Sequence, residues 1–236
     1  MNGGNHLFKK ILELFKTSSK NNKSHAKQSK PKKRIESTRI GGLGEHKINI
    51  QLDQLPKDCK YLSDILIINP KSKTGYSQTD HVVITPYGLF IIETKNYNGE
   101  IKGNKNDKYW SVSNRFKMYN PFMQNYGHIK ALEQVLSEFK PLTFISMISF
   151  TMRCRFSVDP ELRKIHSNDL IVYDVELSEF IQRKLLRFKA ESPESTLGES
   201  QINRIYEIIE NANITDPMIR NEHNKKASEN KKASTK

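Results

Sequence analysis

The sequence predicts a mixed α/β domain of the α+β type, in which helices flank a mixed sheet and basic tails extend from both ends. Three observations predict this fold class. Apolar residues recur at helical spacing in several segments. Other segments are short apolar runs of strand length, bounded by turn residues. The excess of positive charge lies only at the two ends of the 236-residue chain, which leaves a neutral middle of ordinary domain size.

A helix opens this neutral middle, because the apolar residues from 48 to 55 share one helical face with Glu45. A second helix is predicted from Pro121 to about residue 139, since proline suits the first helical turn and Asn120 is a suitable N-cap. The remaining predicted elements are strands at 61–69, 80–85 and 89–95, a hairpin over 99–112, strands at 144–154 and 171–173, and helices near 177–188 and 200–211.

The charge distribution divides the chain into a folded middle and two tails. Residues 1–40 hold 11 basic and 2 acidic residues and residues 217–236 hold 6 and 2, whereas residues 41–216 hold 22 of each. We interpret 1–40 as a basic amphipathic helix at 6–16 followed by a disordered linker, and 217–236 as a disordered basic tail. Within the 41–216 domain, the motifs fall in 41–155, and 156–216 is a C-terminal extension.

Composition excludes several classes of protein. The two cysteines, 95 positions apart, are too few for a disulfide scaffold and lack the paired spacing of a zinc site, so a reducing cytoplasmic setting is expected. No apolar run approaches the roughly 18–20 residues of a membrane span, and lysines interrupt the N-terminal apolar residues where a signal peptide is continuous. The neutral middle excludes a uniformly basic coating protein.

Two carboxylates fall at the same end of the hairpin predicted at 80–95. If Thr85 pairs with Gly88 across a two-residue turn, Asp80 lies opposite Glu93, and opposed residues share a face. Like charges in this position repel each other, so the pair needs compensation. Lys95 is two residues beyond Glu93 and projects from the same face. A bulge at Gly88 would shift the pairing by one residue and leave both acids at the same end.

Two carboxylates and an ammonium group can form a hydrolytic metal site. Mg²⁺ takes oxygen ligands and keeps several waters, and it would cancel the repulsion between Asp80 and Glu93 and acidify a bound water. Lys95 would orient or deprotonate that water and stabilise negative charge. The alternative is that Glu93 and Lys95 are ordinary charges at a strand end, because a lone E-x-K tripeptide is common.

Other side chains are candidates for the same site. Glu45 lies on the apolar stripe of its helix, where a carboxylate needs compensation, although a solvated residue stabilised by the helix dipole is the alternative. Gln124 and His128 share a stripe beside the apolar face of the second helix, so Gln124 can reach the site. For His128 we favour a half-buried histidine satisfied by backbone groups over a residue that supports the site or contacts a phosphate. Tyr97 and Trp110 are core residues or base-stacking platforms, with core favoured for Trp110.

A family resemblance rests on three motifs in the expected order. The segment QTDHVVITPYGLFIIETKNYNGEIKG, residues 78–103, resembles the nuclease-related domain family, abbreviated NERD. NPFMQNYGHIKAL at 120–132 resembles the following helix of that family, and GLGEHKI at 42–48 resembles its first helix. The resemblance covers roughly residues 41–150. It implies the restriction-endonuclease-like α-β-β-β-α-β core of the PD-(D/E)xK nuclease superfamily, of which this family is considered a branch.

The resemblance also implies Mg²⁺-dependent cleavage of phosphodiester bonds, with Mn²⁺ as a substitute ion. Thr79 stands where a proline often precedes the superfamily aspartate. Asp80, Glu93 and the backbone carbonyl of Thr94 are expected to hold the metal, and Glu45 is expected to ligate it through water or to bind a second ion. Matched to the motifs, the candidate catalytic residues are Glu45, Asp80, Glu93, Lys95 and Gln124.

Nucleic acid, with DNA favoured, is the predicted partner of the basic N-terminal arm. Lysines and an arginine in this arm can follow a phosphate backbone without reading its sequence. An anionic membrane would attract residues 6–34 equally well, and a solvated linker is the third interpretation. The candidate contacts to nucleic acid are Lys30, Lys32, Lys33, Arg34 and His128.

The sequence therefore predicts a cytoplasmic, metal-dependent nuclease that cleaves nucleic acid. Attachment to the membrane periphery through residues 6–34 is the alternative location. The alternative function is a non-catalytic adaptor of the same fold, which binds nucleic acid or associates with a membrane without turnover.

Overall fold

The computed structural model describes the backbone of residues 46–233 and the side chains of residues 46–230. The first element is helix α1, which covers residues 46–52. It packs against a five-stranded sheet. Three consecutive antiparallel strands come first in this sheet, and two later strands extend it in parallel, in the order β1-β2-β3-β7-β9. The strands are β1 Lys60–Ile68, β2 Tyr76–Thr85, β3 Gly88–Lys95, β7 Phe144–Phe150 and β9 Asp169–Tyr173.

Four helices follow in the described chain. Side chains from α2 and α4 pack on one face of the sheet, and α1 and α3 pack on the other. The predicted α+β class is thus confirmed, and so is the order helix, three strands, helix, strand. These helices are α2 Pro121–Val135, α3 Leu177–Glu191, α4 Glu199–Ala212 and α5 Pro217–Ala233.

A second, smaller sheet is attached beyond the end of β3, with the order β6-β5-β4-β8. Ile101 pairs with Val112, so the hairpin predicted at 99–112 is confirmed. Trp110 is fully buried here, as expected of a core residue, and its indole N–H donates to the Asn104 carbonyl at 2.9 Å. The strands are β4 Gly99–Gly103, β5 Tyr109–Val112, β6 Phe116–Tyr119 and β8 Cys154–Val158.

The single strand predicted at 144–154 is wrong. β7 ends at Phe150 and β8 begins at Cys154 in the other sheet. The physical reason is a turn of more polar residues, in which the Cys154 amide donates to the Thr151 carbonyl and Met152 is exposed to solvent. The chain therefore crosses from one sheet to the other at a point where the sequence is still partly apolar.

The hairpin of β2 and β3 has the predicted register. Thr85 pairs with Gly88 across the turn, and Val83 pairs with Phe90. Gly88 has a φ of 142°, and a Cβ atom at this position would lie 2.5 Å from the Thr143 carbonyl oxygen. Only glycine can therefore make this turn beneath the neighbouring chain.

The start of α2 is fixed by its N-cap. The Asn120 side chain accepts a hydrogen bond from the Phe122 amide at 2.9 Å, and Pro121 occupies the first turn. Both hydrogens of the Asn120 amide donate to carbonyls of the preceding loop, those of Lys105 and Asp107. The N-cap predicted at Asn120 is thus confirmed, and its amide also joins α2 to the second sheet.

An irregularity in β1 changes which side chains face α2. Asp64 has a φ of 54°, and the register places it opposite Asp80, between the pairs Ser63–His81 and Ile65–Thr79. Leu62 and Ile65 belong to the same hydrophobic cluster although they are three residues apart, which strict alternation forbids. The alternation of faces is therefore reset at Asp64.

The disordered C-terminal tail predicted from residue 217 is wrong, because Pro217–Ala233 forms α5. Asp216 caps this helix by accepting from the Met218 amide at 2.7 Å. Arg220 donates to the Asp64 carboxylate at 2.8 Å and to the Asp64 carbonyl at 2.6 Å. His223 is buried and its Nδ1 lies 3.1 Å from the Thr74 hydroxyl. Polar contacts, rather than an apolar stripe, hold α5 on the domain.

Lys184 provides a test of the packing of α3. Its side chain is buried, and its ammonium group donates to the carbonyls of Ile165, His166 and Ser167 at 2.9–3.1 Å. Lys184→Met would leave three acceptors unsatisfied, so we expect a loss of about 2–4 kcal/mol in the free energy of unfolding, measured by urea denaturation. Lys189→Met, at an exposed position of the same helix, is the control. Equal stability of the two variants would contradict this account.

Candidate active site

The end of the β2–β3 hairpin brings four of the predicted site residues together. Glu93 Oε1 accepts from Lys95 Nζ at 2.6 Å and from Gln124 Nε2 at 2.7 Å. Lys95 Nζ also donates to Gln124 Oε1 at 2.9 Å. Gln124 of α2 thus bonds to both the Glu93 carboxylate and the Lys95 ammonium of the E-T-K tripeptide. Asp80, from the neighbouring strand, is electrostatically coupled to both Glu93 and Lys95.

Thr94 holds Asp80 in place. Its backbone amide donates to Asp80 Oδ2 at 2.7 Å, and its hydroxyl donates to the same oxygen at 2.5 Å. The sequence predicts a role for the Thr94 carbonyl as a metal ligand, and that role stays a prediction. No role is predicted for the Thr94 side chain, because alternation along a regular strand places it on the face opposite Glu93.

His128 completes one side of the cluster. It is buried, its Nδ1 lies 2.7 Å from the Ser77 hydroxyl, and its Nε2 lies 3.4 Å from Glu93 Oε2. The favoured expectation that backbone groups satisfy this histidine is wrong, because these partners are side chains. Its predicted contact with nucleic acid is untested, although burial between Ser77 and Glu93 favours a role in orienting the acid.

Ser77 could not be found from the sequence. Regular alternation from Asp80 would turn Ser77 to the opposite face of the sheet. The change of alternation at Asp64 instead places Ser77 on the side of α2, within reach of His128. The irregularity lies where Asp64 and Asp80 oppose each other, and no sequence motif marks this pair.

The two carboxyl groups have opposite pKa shifts. Burial, and next the charge of Glu93, raise the pKa of Asp80 to about 6, although hydrogen bonds from Thr94 oppose this shift. Burial would also raise the pKa of Glu93, but the Lys95 ammonium and His128 outweigh it and hold the pKa at about 2. Burial favours neutral Lys95, yet the charges of Glu93 and Asp80 raise its pKa, so it is an ammonium at neutral pH.

The donor atoms at this site fit a hard divalent cation. Glu93 Oε2 is buried and receives no hydrogen bond of proper geometry from any described residue. An orphaned carboxylate oxygen beside Asp80 suits Mg²⁺, which needs few protein ligands because it retains waters. Within the described part of the chain, however, no group of three or more His, Cys, Asp or Glu side chains is arranged to hold a metal. The third expected acid, Glu45, lies outside the described residues.

The remaining predicted contacts to nucleic acid belong to the N-terminal arm. Lys30, Lys32, Lys33 and Arg34 also lie outside the described residues, as does the amphipathic segment 6–16. Tyr97 is half-buried, with its ring centroid 5.8 Å from that of Phe116 and 6.5 Å from that of Phe150.

Among residues 46–233, no helix has the length and apolar character needed to cross a membrane.

These features define an α+β domain of the nuclease-like class, with acids and a lysine at one end of a central hairpin. The chain belongs to the nuclease-related domain family, NERD, whose family model matches residues 40–151. An uncharacterized protein of Bacillus anthracis is 30% identical over 188 residues, which cover 78% of this chain and 81% of that relative. No solved structure matches the chain.

The ion pair at this site makes a testable contribution to stability. The pKa of Glu93 is lowered from 4.5 to about 2, so its contribution is fully present above pH 4.5 and is lost as the pH falls through about 2. Lys95→Met would leave a buried carboxylate without its cation. We expect a loss of about 3 kcal/mol in unfolding free energy at pH 7 in EDTA, and a smaller loss at pH 4.

Lys102→Met is the matched control, because the ion pair of Lys102 with Glu100 is partly open to solvent. Chemical denaturation at the two pH values provides the measurement. The double variant Glu93→Gln, Lys95→Met should recover part of the loss, since it removes the unpaired charge. A Lys95→Met protein as stable as the control variant at pH 7 would contradict the buried ion pair.

Proposed function

We propose that this protein is a metal-dependent nuclease that hydrolyses phosphodiester bonds, with DNA as the favoured substrate. The observation that carries the proposal is the cluster of Asp80, Glu93, Lys95 and Gln124, in which a largely buried lysine and an amide both bind one carboxylate oxygen. Membership in the nuclease-related family supports the same chemistry. A structural ion pair alone does not need a second, weakly stabilised carboxylate such as Asp80 beside it.

Asp80 and Glu93 would hold Mg²⁺ through oxygens that the hydrogen bonds leave available. When bound, the ion would polarise the phosphodiester and supply an acidified water. Lys95, as an ammonium, orients groups at the edge of the site and stabilises negative charge that develops on the phosphate. Gln124 fixes the direction of the Lys95 ammonium through its 2.9 Å hydrogen bond. Glu45 is kept as a candidate for a further water-mediated ligand.

Cleavage provides the direct test of these roles. We expect the wild-type protein to cut plasmid or single-stranded DNA with Mg²⁺ or Mn²⁺, and expect Asp80→Asn and Lys95→Ala to lower the rate by about a hundredfold or more. Lys189→Ala, on an exposed face of α3, is the control. Circular dichroism and thermal unfolding identify variants that fail to fold. If folded Asp80→Asn and Lys95→Ala both cut as fast as wild type, the assignment is wrong.

Metal affinity should depend on the protonation of Asp80. Because its pKa is raised to about 6, Asp80 must lose a proton to bind a cation at lower pH. We expect Mg²⁺ affinity, measured by calorimetry on the full chain, to fall about tenfold per pH unit below 6 and to level off above 7. Asp80→Asn should remove this pH dependence.

The second candidate function is an adaptor that uses the same fold without catalysis. It is favoured by one observation, the absence of a three-residue metal-ligand cluster among residues 46–233. The calorimetric titration separates the two functions. No binding of Mg²⁺ at pH 7.5, with or without DNA, would favour the adaptor over the nuclease.

A further inference from the structure

The C-terminal helix α5 presents basic side chains that the neutral body of the domain does not provide in excess. Residues 217–233 hold five basic and two acidic residues, whereas residues 41–216 balance. Lys225 and Lys226 are exposed on this helix. Lys226 contacts Glu222 at 2.6 Å, but this pair is open to solvent and contributes little to stability. Both ammonium groups are therefore accessible to an anionic partner.

The contacts of α5 fix which way these lysines face. Arg220 clamps Asp64 with two hydrogen bonds and also donates to the Ile214 carbonyl at 2.8 Å. The ring of His223 meets that of Tyr76 edge to face, with centroids 6.1 Å apart. Since Arg220 and His223 lie on the inner side of the helix, Lys225 lies on its outer side and Lys226 on its flank, and both are exposed.

The docked side of α5 lies beside the candidate active site. Tyr76, which contacts His223, directly precedes Ser77, and Ser77 bonds to His128. His128 in turn lies 3.4 Å from Glu93. Burial, then Arg220 and His128, lower the pKa of His223, which places the two imidazoles within electrostatic reach. A short series of contacts thus joins the helix to the acidic cluster.

The loop between β1 and β2 adds two lysines to the same edge. Thr74 of this loop bonds to His223, and Lys71 and Lys73 of the same loop are exposed. These side chains, together with Lys225 and Lys226, form a basic edge contributed by two separate elements. The edge runs past the start of β2, the strand that carries Asp80.

We propose that this basic edge, Lys71, Lys73, Lys225 and Lys226, binds the phosphate backbone of a nucleic acid and holds the strand along the acidic site. The inference rests on the proposed function, because it assigns the surface that retains the substrate of that site. Ammonium groups on such an edge attract a chain of phosphates without reading its sequence.

The composition of α5 favours nucleic acid over a membrane. Helices that bind membrane surfaces insert an apolar face. The only large apolar side chains of α5 are the exposed Met218 and the half-buried Ile219 in its first turn, away from Lys225 and Lys226, and its inner face already packs on Thr74 and Tyr76. Charge is therefore the main attraction that its outer face offers, and a polyanion that also requires a hydrolytic site fits that surface.

The test compares two charge-matched double variants of the full chain in EDTA. Lys225→Gln, Lys226→Gln alters the basic edge. Lys57→Gln, Lys189→Gln alters two exposed lysines that line a groove of about 1020 Å³ beside the hairpin turn at Pro86 and Tyr87, at the other end of the hairpin. Fluorescence anisotropy is measured with a labelled DNA duplex, a single-stranded DNA and an RNA of equal length.

We expect the edge variant to bind about tenfold more weakly, with the slope of log K against log salt reduced by about 1.4–1.8, whereas the groove variant binds as wild type. In cleavage assays with Mg²⁺, the edge variant should raise KM and leave kcat unchanged. Binding by the edge variant equal to that of the groove variant would overturn the inference.

Binding to anionic vesicles of phosphatidylserine and phosphatidylcholine is measured for the same variants, because a membrane is the second class of partner. If the edge variant loses vesicle binding but retains nucleic-acid binding, the inference is wrong and α5 is a membrane contact. A wild-type protein that binds nucleic acid through the edge but never cleaves it would refute the nuclease activity and support the binding surface. The two proposals therefore fail on different measurements.

Discussion

The buried contact between Glu93 and Lys95 is the interaction on which the geometry of this site depends. Both side chains are largely removed from water, where an isolated charge is unstable, so each requires the other. Gln124 bonds to both partners and thereby fixes the rotation of α2 against β3. Asn125, the next residue, donates to the Ile91 carbonyl and the Ser146 hydroxyl, which ties the same helix turn to β3 and β7. The position of α2 and the ion pair between Glu93 and Lys95 therefore depend on each other.

A second constraint reaches the site from the far end of the chain. The left-handed residue Asp64 lies opposite Asp80, and Arg220 of α5 bonds to both its carboxylate and its carbonyl. Residues 63–65 therefore keep the conformation that reverses the alternation of side chains between the two faces of the sheet. This reversal places Ser77 next to His128. The C-terminal helix is consequently part of the domain, and within residues 46–233 it belongs to the same compact unit as the two sheets.

The sequence predicts those features that follow from periodicity and turns. The hairpin register was predictable because a two-residue turn sets every pair behind it, and this pairing brings Asp80 and Glu93 to one end. Helix α5 was not predictable, because Arg220 and His223 hold it through polar contacts that leave no apolar period. The place of Ser77 depends on one positive φ in another strand, and no local pattern encodes that contact.

The two carboxyl groups differ because their partners differ. Glu93 is neutralised by Lys95, whereas Asp80 has hydrogen bonds from Thr94 but forms no ion pair with a residue of the described range 46–230, so its charge is the less stable one. A divalent ion would stabilise that charge and at the same time cancel the repulsion between the site and a phosphate. Because residues 41–216 carry no net charge, a polyanion would be drawn to the site by local clusters of basic side chains, namely the proposed edge and the basic N-terminal arm. In the two proposals, metal binding and substrate retention are separate electrostatic tasks, because the hairpin acids would hold the ion and the basic edge would hold the phosphate chain.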